Sequence, residues 1–393
     1  MIVRTTAVST QQNFSLRGQS IDAFTGSSPA VLGYVNDVQA NAGGPITTTS
    51  VPFRCSKARK VTLFGRNTTG GAVLYTTEKP SDSLSGFVTE RFGNLGLTET
   101  IAAVDLPFSE RALLRLAGDI YDRRGYQHDV ATAEEFGGVQ RRSGRATLVL
   151  KPVDNLESTT VLEFDRARGN PIINSLYSYY ACGTKGLTTS AACLYSPLLD
   201  STIGFPGAWD AYLAAHPGAN PLGIPGVLAR QQQLGVWGVD SPQPNSLDQQ
   251  AWSGTNTTTY NFSDDLQVKN IFGISRSYID FVADQLGIPY GISEDFNSTT
   301  GFTGNKTTIR DISEEAQVLG KAIDSQLDYV VGFYYSSNRH LEDDDLTYFD
   351  LTPIIPPSPS TFIFNATSRS EAGYGQGTYD SSKVTGVSRR YHG

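Results

Sequence analysis

Four histidines, His128, His216, His340 and His392, are the natural place to look for a metal site, because imidazole nitrogens bind Zn²⁺-type ions strongly. They are scattered without ligand spacing, so no metal site is expected from them. The acidic run Glu342-Asp343-Asp344-Asp345 has the oxygen donors that Ca²⁺ takes, but reads more simply as a solvated charged loop. A glycan-processing enzyme would need two convergent carboxylates. Asp264-Asp265 and Glu314-Glu315 are sequence neighbours, so within strands their members point to opposite faces and make poor acid and base partners. No G-x-S-x-G, P-loop or H-E-x-x-H is present, and Gly43-Gly44 and Gly137-Gly138 lack a strand-to-helix context for phosphate. No catalytic residue and no cofactor is expected. Cys182 and Cys193 lie in a Gly/Ser/Thr-rich segment and read either as a small disulfide loop outside the cell or as two free thiols.

The elements that position these residues are constrained by composition. The chain has 393 residues, with 39 Gly, 19 Pro, 19 Tyr and 19 Phe and a net charge of −8. That is too aromatic for a disordered polar chain and carries no basic stripe, so nucleic acid is not an expected partner. The first residues, MIVRTTAVSTQQNFSLRG, show no basic n-region followed by an apolar h-region, so no secretory signal is read there. No stretch is apolar for the length of a membrane helix, which leaves a transmembrane barrel untouched because its strands alternate.

Helical periodicity is confined to Ala208–Ala215 and Val227–Leu234, whereas period-two patterns are common. In RALLRLAGDIY, Ala112, Leu114, Leu116 and Ile120 oppose Arg111, Arg115 and Asp119. In RATLVLK, Ala146, Leu148 and Leu150 oppose Arg145, Thr147 and Lys151; in TVLEFD, Thr160, Leu162 and Phe164 oppose Val161, Glu163 and Asp165. LDYVVGFYY puts Leu327, Tyr329, Val331, Phe333 and Tyr335 on one side. Short turns at Leu106–Glu110, Lys151–Asn155 and Asp324–Gln326 alternate with long connections from Asp122 to Gly138, Ala167 to Gly254, Ala283 to Lys306 and Asn338 to Thr367. All short turns are therefore expected at one end and all long loops at the other. A transmembrane barrel has this asymmetry and a sandwich does not. Tyr121, Tyr126, Tyr334 and Tyr335 are candidates for an interfacial girdle.

The segment Thr62 to Pro80, TLFGRNTTGGAVLYTTEKP, resembles the end of the plug domain of TonB-dependent outer-membrane receptors through Gly65, Arg66, Asn67, Gly70 and Gly71, followed by Ala72 and Val73. Arg17-Gly18 is similar to the Ile-Arg-Gly motif of that plug, and Pro29 to Val38 to its proline and tyrosine-valine-aspartate-glycine-valine stretch, with Asn36-Asp37 where Asp-Gly is usual. Leu319 to Tyr335 and Tyr374 to Tyr379 resemble barrel strands of the same receptors. The resemblance implies an all-β fold: an incomplete antiparallel transmembrane β-barrel, about ten of roughly twenty-two strands, preceded by the C-terminal part of a plug. It divides the chain into a partial plug at 1–80 and the N-terminal portion of the barrel, with long extracellular loops, at 81–393.

The same resemblance implies a receptor in the outer membrane of a Gram-negative bacterium. Its partners would be outer-membrane lipid, the TonB complex and a scarce small molecule such as a ferric siderophore, a corrinoid or an oligosaccharide. The coupling box that contacts TonB and the closing half of the barrel are not read in this sequence, so a truncated product not functional alone is expected. Candidate ligand contacts are Trp209, Tyr212, Trp237 and Trp252 in the long loops, each of which reads more simply as packing of a folded loop. The alternative is a soluble or secreted β-rich ligand-binding module, whose strands alternate identically.

One departure is informative. Between Pro52 and Val61 these receptors have Val-(Glu/Gln)-Val-Leu-(Arg/Lys)-Gly-Pro-Gln-Gly, yet this chain reads PFRCSKARKV. Codons for Phe53 to Val61 can be chosen as TTC AGG TGC TCA AAG GCC CGC AAG GT, which from the third base read Gln-Val-Leu-Lys-Gly-Pro-Gln-Gly. A compensated frameshift across 53–61, with Cys55 as its by-product, explains the coincidence. Resequencing the gene is expected to show that alternate reading; a nucleotide string without it removes the idea.

Overall fold

The computed structural model of the chain describes residues 2–5, 12–15, 31–40, 53–56, 71–186, 190–241, 245–282, 284, 286–294 and 304–379. Strands β1 (Ile2–Thr5) and β2 (Gln12–Ser15) pair antiparallel. A four-stranded mixed sheet follows, from β3 (Val31–Val35), β4 (Val38–Ala40), β5 (Phe53–Ser56) and β6 (Gly71–Tyr75), in the order β4-β3-β6-β5. Asn36 and Asp37 form the β3–β4 turn with φ of 50° and 68°. Asn and Asp tolerate the left-handed region better than other non-glycine residues, so the turn closes without the usual glycine.

The rest of the chain is dominated by one sheet. Its strands are β7 (Ser85–Gly93), β8 (Leu97–Ser109), β9 (Ala112–Arg123), β12 (Gly138–Val153), β13 (Leu156–Asn170), β15 (Ser246–Ser263), β16 (Leu266–Val282), β18 (Asn305–Ala322), β19 (Leu327–Tyr348) and β20 (Ser358–Tyr379). Short strands β10 (Gln127–Asp129), β11 (Glu135–Phe136), β14 (Gly238–Val239) and β17 (Ser293–Glu294) lie in the connections between them. Each long strand pairs antiparallel with its predecessor in this series, as an up-and-down wall does, and among the described residues β7 and β20 are its two edges.

Burial along these strands is inverted relative to a water-soluble sheet. On β9 Asp119 is fully buried while Ile120 is 50% exposed, and on β13 Glu163 and Asp165 are 6% and 5% exposed while Leu162 and Phe164 are 58% and 49% exposed. Successive side chains alternate faces. One face of the wall is therefore charged and covered, and the other is apolar and open. A soluble sandwich buries its apolar face, so the alternation that could not discriminate in sequence does so once burial is known.

The covered face is the one on which the small sheet sits. Asp37 at the β3–β4 turn pairs with Lys269 of β16 at 2.8 Å. Next to it Val38 packs so closely over Gly273 that a Cβ at 273 would overlap the valine methyl. Asn36 closes the corner from the other side, accepting hydrogen bonds on Oδ1 from the Thr77 N–H (2.9 Å) and hydroxyl (3.1 Å).

Several sequence expectations are corrected. Two wall turns are tighter than expected, at Glu110-Arg111 and Asp154-Asn155, because the strands run on into the turn formers; the turn expected at Asp324–Gln326 spans 323–326, and a further turn lies at Asp264-Asp265. Asp264-Asp265 is thus a turn and not a strand pair. The β7–β8 connection, Asn94–Gly96, is short yet lies at the long-loop end. Residues 338–367 are not one long loop: β19 continues to Tyr348 and β20 starts at Ser358. Tyr334 is buried on the inner face, Tyr121 lies under the Arg141 guanidinium and Tyr126 packs on Trp237 in the loops. Of the four expected girdle tyrosines only Tyr335 is on the outer face. Both expected helices are present, the second starting at Ile224.

Overpacking the one glycine under the hairpin tests its docking. Gly273→Val is expected to cost about 1–3 kcal/mol and to speed amide hydrogen exchange at Tyr34 to Gln39. Unchanged exchange there would contradict the contact.

Candidate functional site

The inner face carries a ladder of ion pairs. Arg115 pairs with Asp105 (2.7 Å) and with Glu78 (2.7 Å), Arg145 with Glu163 (2.7 Å), and Arg141 with Asp119 (3.0 Å) and Glu99 (3.4 Å). Arg91 reaches Glu99 from β7 at 2.6 Å. Lys79, in the segment joining the small sheet to the wall, pairs with Glu157 of β13 at 2.6 Å. Charges taken out of water persist only when paired, and register places these partners on adjacent or near-adjacent strands. Further round, Tyr374 of β20 hydrogen-bonds Glu315 and Gln317 of β18, and Tyr334 and Asn338 of β19 border a cleft against Val38 to Ala40 of the small sheet. None of these groups converges as an acid and base around an open cleft.

At the other end the long connections fold together. The connection from β13 to β15 holds four helices, α1 (Ala191–Leu194), α2 (Leu199–Ile203), α3 (Ala208–Ala215) and α4 (Ile224–Leu234). Cys182 and Cys193 are joined by a disulfide within it. Its core is aromatic: Tyr195, Trp209, Tyr212 and Tyr290 pack around Leu199, Ile224, Ile288 and Leu351. Ile288 and Tyr290 come from the β16–β18 connection and Leu351 from the β19–β20 connection, so the core is shared. The Tyr195 hydroxyl donates to the carbonyls of Gly291 (3.1 Å) and Asp350 (3.2 Å), and the Tyr290 hydroxyl to that of Asn220 (2.7 Å). Burial raises the Tyr290 hydroxyl above its ordinary pKa, which keeps it a donor.

Two buried carboxylates complete the stitching. Asp129, in the β9–β12 connection, accepts the Ser241 N–H at 2.9 Å and the Thr132 hydroxyl at 2.6 Å. Asp284, after β16, accepts the Ser241 hydroxyl at 2.6 Å and the N–H groups of Leu286 and Gly287. Burial pushes the Asp284 carboxyl above the usual aspartate range, opposed by those donors. Asp200 does the reverse. It takes the N–H groups of Trp209 (2.8 Å) and Gly207 (2.7 Å) at the start of α3, which hold its carboxyl below the usual range.

The sequence-derived candidates separate clearly. Trp209 and Tyr212 are buried in the loop core, where Trp209 stacks on Tyr212 at 5.5 Å and donates its indole N–H to the Pro221 carbonyl. Trp252 is not in a loop: it lies on the open face of β15 opposite Phe164. Trp237 is 63% exposed and meets Tyr126 edge-on at 5.6 Å, with the Arg123 guanidinium 5.2 Å from the same tyrosine ring. That cluster joins two connections and was not visible in sequence, because its members are far apart in the chain. Gly71 opens β6, whereas Arg17, Gly18, Gly65, Arg66, Asn67 and Gly70 lie outside the described residues. Among the described residues no three His, Cys, Asp or Glu side chains gather as a metal site, the acidic run 342–345 included.

The Asp200 pKa shift has a definite sign. A carboxyl held low when folded adds stability above its unfolded pKa of about 4 and loses it as pH falls through the folded value. Loop thermal stability, followed by near-UV circular dichroism, is therefore expected to fall as pH drops below about 4. Asp200→Asn should lower it at pH 7 and flatten the acid limb; an unaltered limb would contradict the cap.

No protein-family model and no curated protein sequence matches the chain. Solved structures do. The ferric yersiniabactin uptake receptor FyuA from Yersinia pestis aligns with a TM-score of 0.64 at 14% identity, over 95% of this chain and 56% of its own. The siderophore receptor PiuA from Acinetobacter baumannii aligns with 0.62 at 12% identity, over 93% and 49%. The ferric citrate transporter FecA, unliganded, aligns with 0.59 at 9% identity, over 96% and 49%. The chain thus spans about half the length of the receptors it matches. With its charged inner face, its apolar outer face and its small sheet docked inside, it has the fold of the TonB-dependent siderophore receptors, as an open stretch of their barrel wall.

Proposed function

We propose that the chain is part of an outer-membrane receptor for a scarce ligand of the ferric siderophore kind. In this reading the wall spans the outer membrane of a Gram-negative bacterium, residues 1–80 form part of the plug and the stitched loops face the medium. No bond is made or broken; uptake would be driven by a TonB complex acting on the plug. The observation that carries the reading is the inverted burial. Leu162, Phe164 and Ile120 lie open on the face opposite the buried Glu163, Asp165 and Asp119. Hydrocarbon is the solvent in which such an arrangement is stable.

Within the loops, the exposed Trp237 with the half-buried Tyr126 offers an aromatic surface to a ligand, whereas Trp209 and Tyr212 belong to the buried core. Trp252 is assigned to the lipid-facing surface. The arginine beside Tyr126, Arg123, supplies a cation suited to an anionic ferric chelate.

The full chain, expressed in a Gram-negative host behind an added cleavable export signal, is expected to fractionate with the outer membrane and to partition into detergent. Ferric catecholate, hydroxamate and carboxylate chelates are then titrated against indole fluorescence. One class should quench it, and Trp237→Phe should remove most of the change and weaken binding by roughly tenfold, about 1.4 kcal/mol. A chain that stays in the aqueous phase would favour a soluble β-rich binding module, and quenching unaffected by Trp237→Phe would dismiss this cluster as the contact.

A further inference from the structure

The outer face of the last strands carries a row of arginines. Arg276 of β16 is the register partner of Arg310 of β18, which partners Arg339 of β19. Arg369 of β20 lies two residues from the partner of Arg339, on the same face. All four are exposed. Among the described residues none has a carboxylate within 4.0 Å or any other side-chain partner. This contrasts with the neighbouring strands, where the outward Arg142 pairs with Asp122, and Arg166 and Arg168 with Asp248. Glu371 shares the outer face of β20, on the short-turn side of Arg369.

The row has a definite height on the wall. Toward the short turns the same face shows Ile274, Ile312, Val331 and Phe333, all open. From Leu327 to Arg339 is about twelve strand steps, or roughly 30 Å along the barrel axis at the usual rise and tilt. An outer-membrane barrel has an apolar band about 25 Å tall. The guanidinium groups therefore sit just past the hydrocarbon, on the side of the long loops, where headgroups begin. Four cations that form no ion pair among the described residues, aligned at that depth, invite an anion from the surroundings. A guanidinium fork fits phosphate oxygens two at a time, better than it fits a zwitterionic headgroup.

We propose that Arg276, Arg310, Arg339 and Arg369 form a binding face for phosphorylated, anionic lipid headgroups in the leaflet on the long-loop side. This rests on the membrane-wall reading above and adds a lipid specificity to it. Trp252 supplies the reporter, since it is the register partner of Arg276 and lies on the same open face.

The full chain is reconstituted in phosphatidylcholine vesicles containing a minor fraction of a diphosphorylated lipid, with brominated acyl chains on one lipid or the other. Quenching assigned to Trp252 is the difference from Trp252→Phe. Brominated phosphatidylcholine should quench Trp252 in every variant, which tests the wall itself. The brominated phosphorylated lipid should quench it several-fold beyond its mole fraction, and less so at high salt. Replacing the four arginines by glutamine, or only Arg310 and Arg339, should return quenching to the mole fraction. Replacing Arg166 and Arg168, already held by Asp248, should not. Quenching by phosphatidylcholine without enrichment of the phosphorylated lipid overturns the headgroup face and leaves the wall standing. Enrichment abolished by millimolar inorganic phosphate would mean a site for the free anion and also overturns it. No quenching by either lipid overturns both.

Discussion

Asp119 and Arg141 meet on a face of the wall that water hardly reaches, while Ile120, one residue on from that aspartate, stands half in the open. Every other feature depends on this reversal. In water the sheet would lose on both sides, leaving leucines and phenylalanines solvated and charges buried. In hydrocarbon the outward residues are at home, and on the inner face Arg115, Arg141 and Arg145 pair with Asp105, Asp119, Glu99 and Glu163. The ladder from Glu78 through Arg115 to Asp105 also links the segment after β6 to the wall, so it positions the sheet as well as neutralising the face.

A wall of this kind frees its connections to specialise. The short turns need only close hairpins, and Asp154-Asn155 and Asp264-Asp265 do so with residues suited to tight reversal. The long connections instead build a body of their own, with a shared aromatic core and two buried aspartates tying neighbouring loops to Ser241. Loops tied together in this way present the exposed Trp237 and the half-buried Tyr126 in fixed relation, which suits recognition. Among the described residues β7 and β20 are the edges of the wall, and in lipid the backbone groups of an edge strand need a partner. The solved receptors of this fold are about twice as long.

Much of the wall was legible because period-two alternation survives any environment: Leu162 against Glu163 is visible in sequence whatever solvent lies outside. Which face is buried was not legible, since the same pattern serves a sandwich. Residues 338–348 were misjudged because the acidic run 342–345 suppresses strand propensity; pairing with β18 and β20 on both sides overrides it. Trp252 was misplaced for a related reason, because a strand that continues past its apolar stretch into Gln and Asp resembles a loop. The Trp237–Tyr126 cluster and the arginine row depend on register between distant segments, which one sequence does not specify. The glycine-rich motif behind the family resemblance lies mostly outside the described residues, whereas the Asn36-Asp37 turn beside it has the tight geometry for which Asp-Gly is usual.

The central claim concerns which solvent each face of β13 meets. Single nitroxide labels at Thr160, Val161, Leu162, Glu163 and Phe164 of the membrane-reconstituted chain report this through collision with dissolved oxygen, which concentrates in hydrocarbon, and with a water-soluble nickel chelate. The account predicts a period of two, with oxygen contact highest at Leu162 and Phe164 and low at Val161 and Glu163. Labels at Leu162 and Phe164 that collide freely with the nickel chelate would show an outer face bathed in water and would contradict it.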